Sequence, residues 1–104
     1  MLDKNKCISL IKSLKFSEVY ELILTEYDKM FNNLLIMNEV DEDLQDCTMA
    51  EKCQLMIEEF PEIKYLLIDI SYSFLNEEAT LDSKILNLMD NYKIFEEYYL
   101  KTLK

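Results

Sequence analysis

The chain has 104 residues, about the length of a single domain, and half of its residues are hydrophobic while 31% are charged. It contains no Gly, which makes the tight turns of β-sandwiches and barrels costly, so the composition favours an all-α fold. Its net charge of −10 at pH 7 excludes the basic surface that direct nucleic-acid binding requires, and no stretch is apolar for long enough to span a membrane.

Two amphipathic helices are predicted in the first 40 residues of the chain. Residues 3–14 place their apolar side chains on one helical face, and residues 17–40 do so over a longer stretch. Ser17 is the expected N-cap of the second helix, because a serine hydroxyl can accept a hydrogen bond from a free amide of the first turn. The apolar face of the first helix consists of Cys7, Leu10, Ile11 and Leu14, and that of the second of Tyr20, Ile23, Leu24, Tyr27, Phe31 and Leu34.

An acidic break separates these helices from the rest of the chain. Residues 41–47, DEDLQDC, contain four acids in seven positions and show no apolar period. The following TMAE matches a capping box, with Thr48 as the N-cap and Glu51 three positions later. The helix that begins there is predicted to end near Phe60, because the residue before a proline is pushed out of the α region.

Residues 66–75, LLIDISYSFL, fit two periods. Their alternation is typical of a half-buried strand, but the same residues also form helical stripes. No other segment alternates as a partner strand would, and an isolated strand is unstable, so we predict a helix over residues 61–76. Such a helix is apolar on two sides and must be covered on both, either as the central helix of a bundle or by a partner. One side consists of Ile63, Leu66, Leu67, Ile70 and Phe74, and the other of Tyr65, Ile68, Tyr72 and Leu75.

The last helix is predicted over residues 81–103, capped by Thr80 or Asp82. Its apolar residues alternate spacings of four and three, as in a coiled-coil seam. The sequence as a whole therefore predicts an all-α single domain, a compact bundle of four to five helices in which the helix 61–76 is central. The predicted helices are residues 3–14, 17–40, 48–60, 61–76 and 81–103.

The composition removes most of the groups that catalysis uses. Without His there is no imidazole base, without Gly no phosphate-binding glycine loop, and without Arg no bidentate phosphate clamp. The three cysteines, Cys7, Cys47 and Cys53, are odd in number and two lie in apolar stripes, which is typical of reduced thiols in the cytoplasm. We therefore expect a cytoplasmic protein that is not an enzyme and uses no cofactor.

Neither the thiols nor the acidic cluster fits a metal-binding motif. Cys47 and Cys53 are separated by five residues, more than zinc motifs usually have, and no His completes a ligand set. In a calcium-binding loop that began at Asp41, positions six and twelve would be Asp46 and Lys52 instead of Gly and Glu. We expect no metal site.

The acidity is concentrated in the middle of the chain, where residues 17–62 carry thirteen acids against two lysines. Together with the surplus apolar side of residues 61–76, this distribution predicts a protein that binds and blocks a protein partner with a basic surface. Immunity proteins, antitoxins and phage-encoded inhibitors are small neutralisers of this type, although no family motif is present. The predicted partner-binding residues are Glu39, Asp41, Glu42, Asp43, Asp46, Glu51, Tyr65 and Tyr72.

Two other interpretations remain open at this level. The first is a homo-oligomeric helical scaffold or assembly subunit, with a homodimer formed through residues 65–75 or the 81–99 seam. The second is a mimic of nucleic-acid charge, which requires a regular array of acids on one surface. Three pairs of tyrosines are each spaced seven residues apart and so share a helical face: Tyr20/Tyr27, Tyr65/Tyr72 and Tyr92/Tyr99. They allow both a core-margin role and a recognition role, since Tyr is common in both settings.

Overall fold

The computed structural model describes residues 2–104, in which the secondary structure consists of helices, with no strand. The secondary structure of these residues consists of five α-helices and two short 3-10 turns, so the predicted all-α bundle of four to five helices is confirmed. Residues 66–75 belong to a helix, as predicted. The α-helices are α1 (Lys4–Lys12), α2 (Phe16–Met37), α3 (Met49–Glu59), α4 (Lys64–Leu75) and α5 (Leu81–Thr102), and the 3-10 turns are Leu44–Asp46 and Pro61–Ile63.

The two longest helices, α2 and α5, run in the same direction and hold the centre of the core. The Tyr27 hydroxyl donates to the Leu88 carbonyl over 2.5 Å, and further along both helices the Asn33 amide donates to the Tyr99 hydroxyl over 2.7 Å. Most of α2's apolar face is fully buried, because α1, α3 and α5 all pack against it. The aromatic centre of the core consists of Tyr27, Phe31, Tyr92 and Phe95, with neighbouring ring centroids 5.3–6.0 Å apart.

Helix α4 runs opposite to α5 and packs between α3 and α5. Its Ser73 hydroxyl donates to the carbonyl of Lys84 near the start of α5, while the Tyr98 hydroxyl near the end of α5 donates to Glu62, just before α4. Helix α2 packs on the same two neighbours, so α2 and α4 occupy opposite corners of a four-helix arrangement.

The prediction that residues 61–76 form the central helix is wrong. The inner face of α4 is buried, with Leu67 and Ile70 fully inaccessible, but its outer face is exposed. The helical wheel shows only that both sides are apolar. The most fully buried apolar face belongs instead to α2, against which α1, α3 and α5 pack. The outer face of α4 consists of Tyr65, Ile68, Tyr72 and Leu75.

The helix ends follow local chemistry where a capping side chain is present. Thr48 and Glu51 form the predicted capping box, and the backbone amide of Glu51 donates to the Thr48 hydroxyl over 3.2 Å. Phe60 terminates α3 before the proline, and Thr80 caps α5 by accepting from a first-turn amide, as predicted. The predicted Ser17 cap is wrong: α2 begins at Phe16 and no side chain caps it.

The thiols of Cys7 and Cys53 are buried in the core, as their places in apolar stripes predict, whereas Cys47 is half-buried in the connection before α3. All three are free. Within residues 2–104, no helix is both long and apolar enough to cross a membrane.

Candidate functional site

The outer face of α4 consists of four large apolar side chains that the fold leaves exposed. The exposed fractions are 82% for Tyr65, 43% for Ile68, 51% for Tyr72 and 63% for Leu75. These residues follow one another at spacings of three, four and three, so they form a single seam about 15 Å long on the helix surface. The seam is separate from the core, which α4 already completes with its opposite side.

A polar network fixes α4 against α5 beside this seam. The Asn87 side-chain amide donates to the Asp69 carbonyl over 2.8 Å and to the Ser73 hydroxyl over 2.7 Å. One turn later, Asn91 donates to the Asn87 carbonyl over 2.9 Å. Nothing in the sequence singles out Asn87, because an asparagine beside an apolar seam gives no sign of which backbone group it will bond.

The same network borders a shallow depression of about 430 Å³ next to the outer face, which we call the α4–α5 groove. Three apolar side chains of the seam contribute to it, and the Asn87 side chain closes its α5 side. Because both helices are pinned by the amide of Asn87, the groove is already formed in the free protein. It is lined by Ile68, Asp69, Ser71, Tyr72, Leu75, Asn76 and Asn87.

The predicted acidic residues lie on a different part of the surface, which we call the acidic segment. All of them are exposed, but several also have structural contacts. The Asp43 carboxylate accepts from the Gln45 amide over 3.2 Å, and the Glu51 carboxylate accepts from the Thr48 amide over 3.1 Å. The acidic segment consists of Glu39, Asp41, Glu42, Asp43, Asp46 and Glu51.

The connection that contains most of the acidic segment runs back along the bundle. It leaves the end of α2, and its residues Gln45 and Cys47 then line a depression together with Leu24 and Asp28 in the middle of α2. The acids are therefore spread along the side of the bundle formed by α2 and the start of α3. Sequence alone could not show this path, because it depends on α3 starting beside the middle of α2.

The two groups of predicted site residues do not converge. Tyr65 and Tyr72 lie on α4, at the corner opposite α2, and within residues 2–104 no hydrogen bond or ion pair links them to the acidic segment. Other acids surround the outer face instead, since residues 65–90 contain five acids and one lysine, a net charge of −4. The exposed acids there are Asp69, Glu77, Glu78, Asp82 and Asp90.

The pKa values of all three thiols are raised, which lowers the fraction of reactive thiolate. Burial raises the pKa of the Cys53 thiol to about 12 and also raises that of Cys7. The pKa of the Cys47 thiol is raised by desolvation and by the nearby carboxylates of Glu51 and Glu42. In the part of the chain that the structure describes, no three cysteine or carboxylate side chains meet in a cluster able to hold a metal ion.

Comparison of this chain with protein-family models, with curated proteins and with solved structures finds no match.

Proposed function

We propose that this protein acts by binding and blocking a protein partner with a basic surface, in the manner of an immunity protein or antitoxin, and without catalysis of its own. The observation that supports it is the exposed outer face of α4. Monomeric proteins seldom leave a contiguous apolar surface uncovered unless it serves an interaction, and tyrosines are enriched among the residues that dominate binding energy. Tyr65 and Tyr72 are therefore the expected anchors.

The net charge of this protein favours a partner with a basic surface. A net charge of −10 on 104 residues produces a negative field that accelerates encounter with a basic surface and suppresses encounter with an acidic one. The acidic segment, at the other side of the bundle, supplies much of this field. We propose that the acidic segment speeds association with the partner and lies at the rim of the contact. We propose that the tyrosines form the centre of the contact and slow dissociation. Reduced thiols suit a cytoplasmic site of action.

The proposal is tested by capturing the partner from the cells that make the protein and then measuring binding kinetics. Replacement of Asp41, Glu42, Asp43 and Asp46 by Asn or Gln should slow association and weaken its dependence on salt, because screening acts on exposed charges. Asp43→Asn keeps an oxygen that can accept from the Gln45 amide, so the local fold is preserved. An association rate unchanged by these substitutions and by salt would contradict the role of the acidic surface.

The alternative function, a homo-oligomeric assembly subunit, is favoured by the same outer face, since a 3-4-3 seam can also pair with its own copy. A two-fold pairing would bring two chains of charge −10 together, which opposes it at low salt. Light scattering at high protein concentration separates the two functions, because a persistent monomer excludes the assembly role.

A further inference from the structure

We propose that the outer face of α4 and the α4–α5 groove seat one amphipathic helix of the partner, with its lysines and arginines placed toward the Leu75 end. This inference rests on the proposed function and specifies the shape and chemistry of the partner. It follows from three properties of the surface: the spacing of its apolar residues, the rigidity of its wall and the asymmetry of its charge.

The spacing of the seam fits a helix. Tyr65, Ile68, Tyr72 and Leu75 follow a 3-4-3 pattern, the arrangement in which one helix accepts the side chains of another along a shallow crossing. The depression of about 430 Å³ beside Tyr72 and Leu75 has room for a large apolar side chain of the incoming helix. An extended strand would need free backbone groups to pair with, and α4 satisfies its own.

The wall of the groove is rigid before binding. Asn87 bonds to the backbone of Asp69 and to the hydroxyl of Ser73, and the Ser71 hydroxyl donates to the Ile68 carbonyl over 2.7 Å. A surface already ordered in the free protein loses little conformational entropy on binding.

The charge along the seam is asymmetric. At the Tyr65 end the charge of Lys64 is balanced by that of Glu62. At the other end Glu77 and Glu78 follow directly after Asn76, and Asp69 lines the groove. The C-terminus of α4 adds its partial negative charge at that same end. A basic residue of the partner is therefore favoured near Leu75. A second copy of this chain is disfavoured because each copy carries a net charge of −10.

The test uses the full-length protein and a synthetic helical peptide of about 18 residues, long enough to cover the seam at 1.5 Å per residue. The peptide carries leucines at 3-4-3 spacing and lysines at the end that would meet Leu75. A peptide of the same composition with its leucines shuffled keeps the charge but lacks the apolar stripe. Backbone amide shifts report where each peptide binds, and titration at low and high salt gives the dissociation constants.

The inference predicts that shifts concentrate at Ile68, Tyr72, Leu75 and Asn87, and that Tyr72→Ala or Leu75→Ala weakens binding of the striped peptide about tenfold or more. Ile36→Ala is the matched control, because Ile36 is exposed to 65%, close to the 63% of Leu75, and also lies in the last turn of a helix. It should leave the affinity unchanged.

Three results would overturn the inference. Equal binding of the shuffled peptide, or shifts centred on residues 41–46, would show that charge alone attracts the peptide. A dimer of the free protein that Tyr72→Ala dissociates would show that a second copy occupies the face. A separate result would contradict the proposed function. It is that no partner captured from cells binds differently to the acidic-segment variants or to the outer-face variants.

Discussion

Two helices in this protein end in a left-handed residue that is not glycine. Leu14 has φ of 58° and Glu39 has φ of 56°, and each follows a helix whose last turn is closed by a Schellman pair of hydrogen bonds. The amide of Lys15 donates to the Leu10 carbonyl over 2.8 Å in the first case. Since the chain has no Gly, a residue with a Cβ occupies each position at a cost of roughly 1–2 kcal/mol.

Glu39→Gly should therefore raise the free energy of unfolding by about 0.5–1 kcal/mol. The strain energy removed from the folded protein exceeds the entropic cost of making the unfolded chain more flexible. Urea denaturation measures the change. Glu39→Gln is the control, since it removes the same charge but keeps the Cβ. An equal gain from both substitutions would attribute the effect to charge repulsion in the acidic segment and not to backbone conformation.

The buried thiol of Cys53 predicts a loss of stability in alkaline solution. Its pKa is about 12 in the folded protein against an ordinary value of 9.0, so above pH 9 the unfolded chain releases this proton while the folded protein retains it. The contribution of this pKa shift to the free energy of unfolding is fully present below pH 9. It declines toward pH 12 by about 1.4 kcal/mol per pH unit.

Urea unfolding of the unaltered protein and of Cys53→Ala between pH 9 and pH 10 isolates this slope as a difference, because other groups with a raised pKa, such as Cys7 and Tyr27, contribute equally to both proteins. Cys53→Ala should be less stable at pH 7 because of the cavity it leaves, but its stability should fall less steeply with pH. The same slope in both proteins would show that Cys53 does not cause the alkaline loss.

At the scale of the helices, an ion pair links α2 to α3, and one of its two side chains is far more buried than the other. The Lys52 ammonium lies 2.5 Å from an Asp28 carboxylate oxygen, and the side chain of Lys52 is 7% exposed while that of Asp28 is 39% exposed. Because the lysine is nearly surrounded by protein, it depends on its partner more than the aspartate does.

Asp28→Asn should cost about 2–3 kcal/mol of unfolding free energy, since it leaves a buried ammonium without a countercharge. Lys52→Met should cost less than about 1 kcal/mol, because Asp28 can be solvated and the apolar stem is replaced. Thermal and urea unfolding of both variants and of the double variant measure the asymmetry. Costs in the opposite order would show that the aspartate is the dependent partner.

The limits of sequence-based prediction are clearest for these elements. Periodicity and capping signals located all five helices, and the Thr48–Glu51 box placed the start of α3 correctly. The end of α1 was predicted too late, because without a Gly nothing in the sequence indicates that Leu14 leaves the helix. The position of α4 at a corner could not be predicted, because a helical wheel does not show which neighbours cover it.

At the scale of the whole molecule, the core and the proposed interaction surface lie on opposite sides of the same helix. α4 completes the core with Leu67 and Ile70 and leaves its outer face exposed. The sequence predicted eight contact residues that the fold places on two separate surfaces, since nothing in the sequence shows that the connection before α3 runs back along α2. Under the proposed function, the acidic segment supplies long-range attraction and the outer face of α4 supplies the lasting contact.

The central claim is that the outer face of α4 is dispensable for folding and required for binding. The measurement that tests it most directly is the dissociation rate of the captured partner from a protein carrying Tyr65→Ala and Tyr72→Ala, compared with the unaltered protein. We predict dissociation at least about tenfold faster, with the free energy of unfolding changed by less than about 0.5 kcal/mol because both tyrosines are exposed. An unchanged dissociation rate together with a clear loss of stability would contradict the account, because it would show that these tyrosines serve the fold.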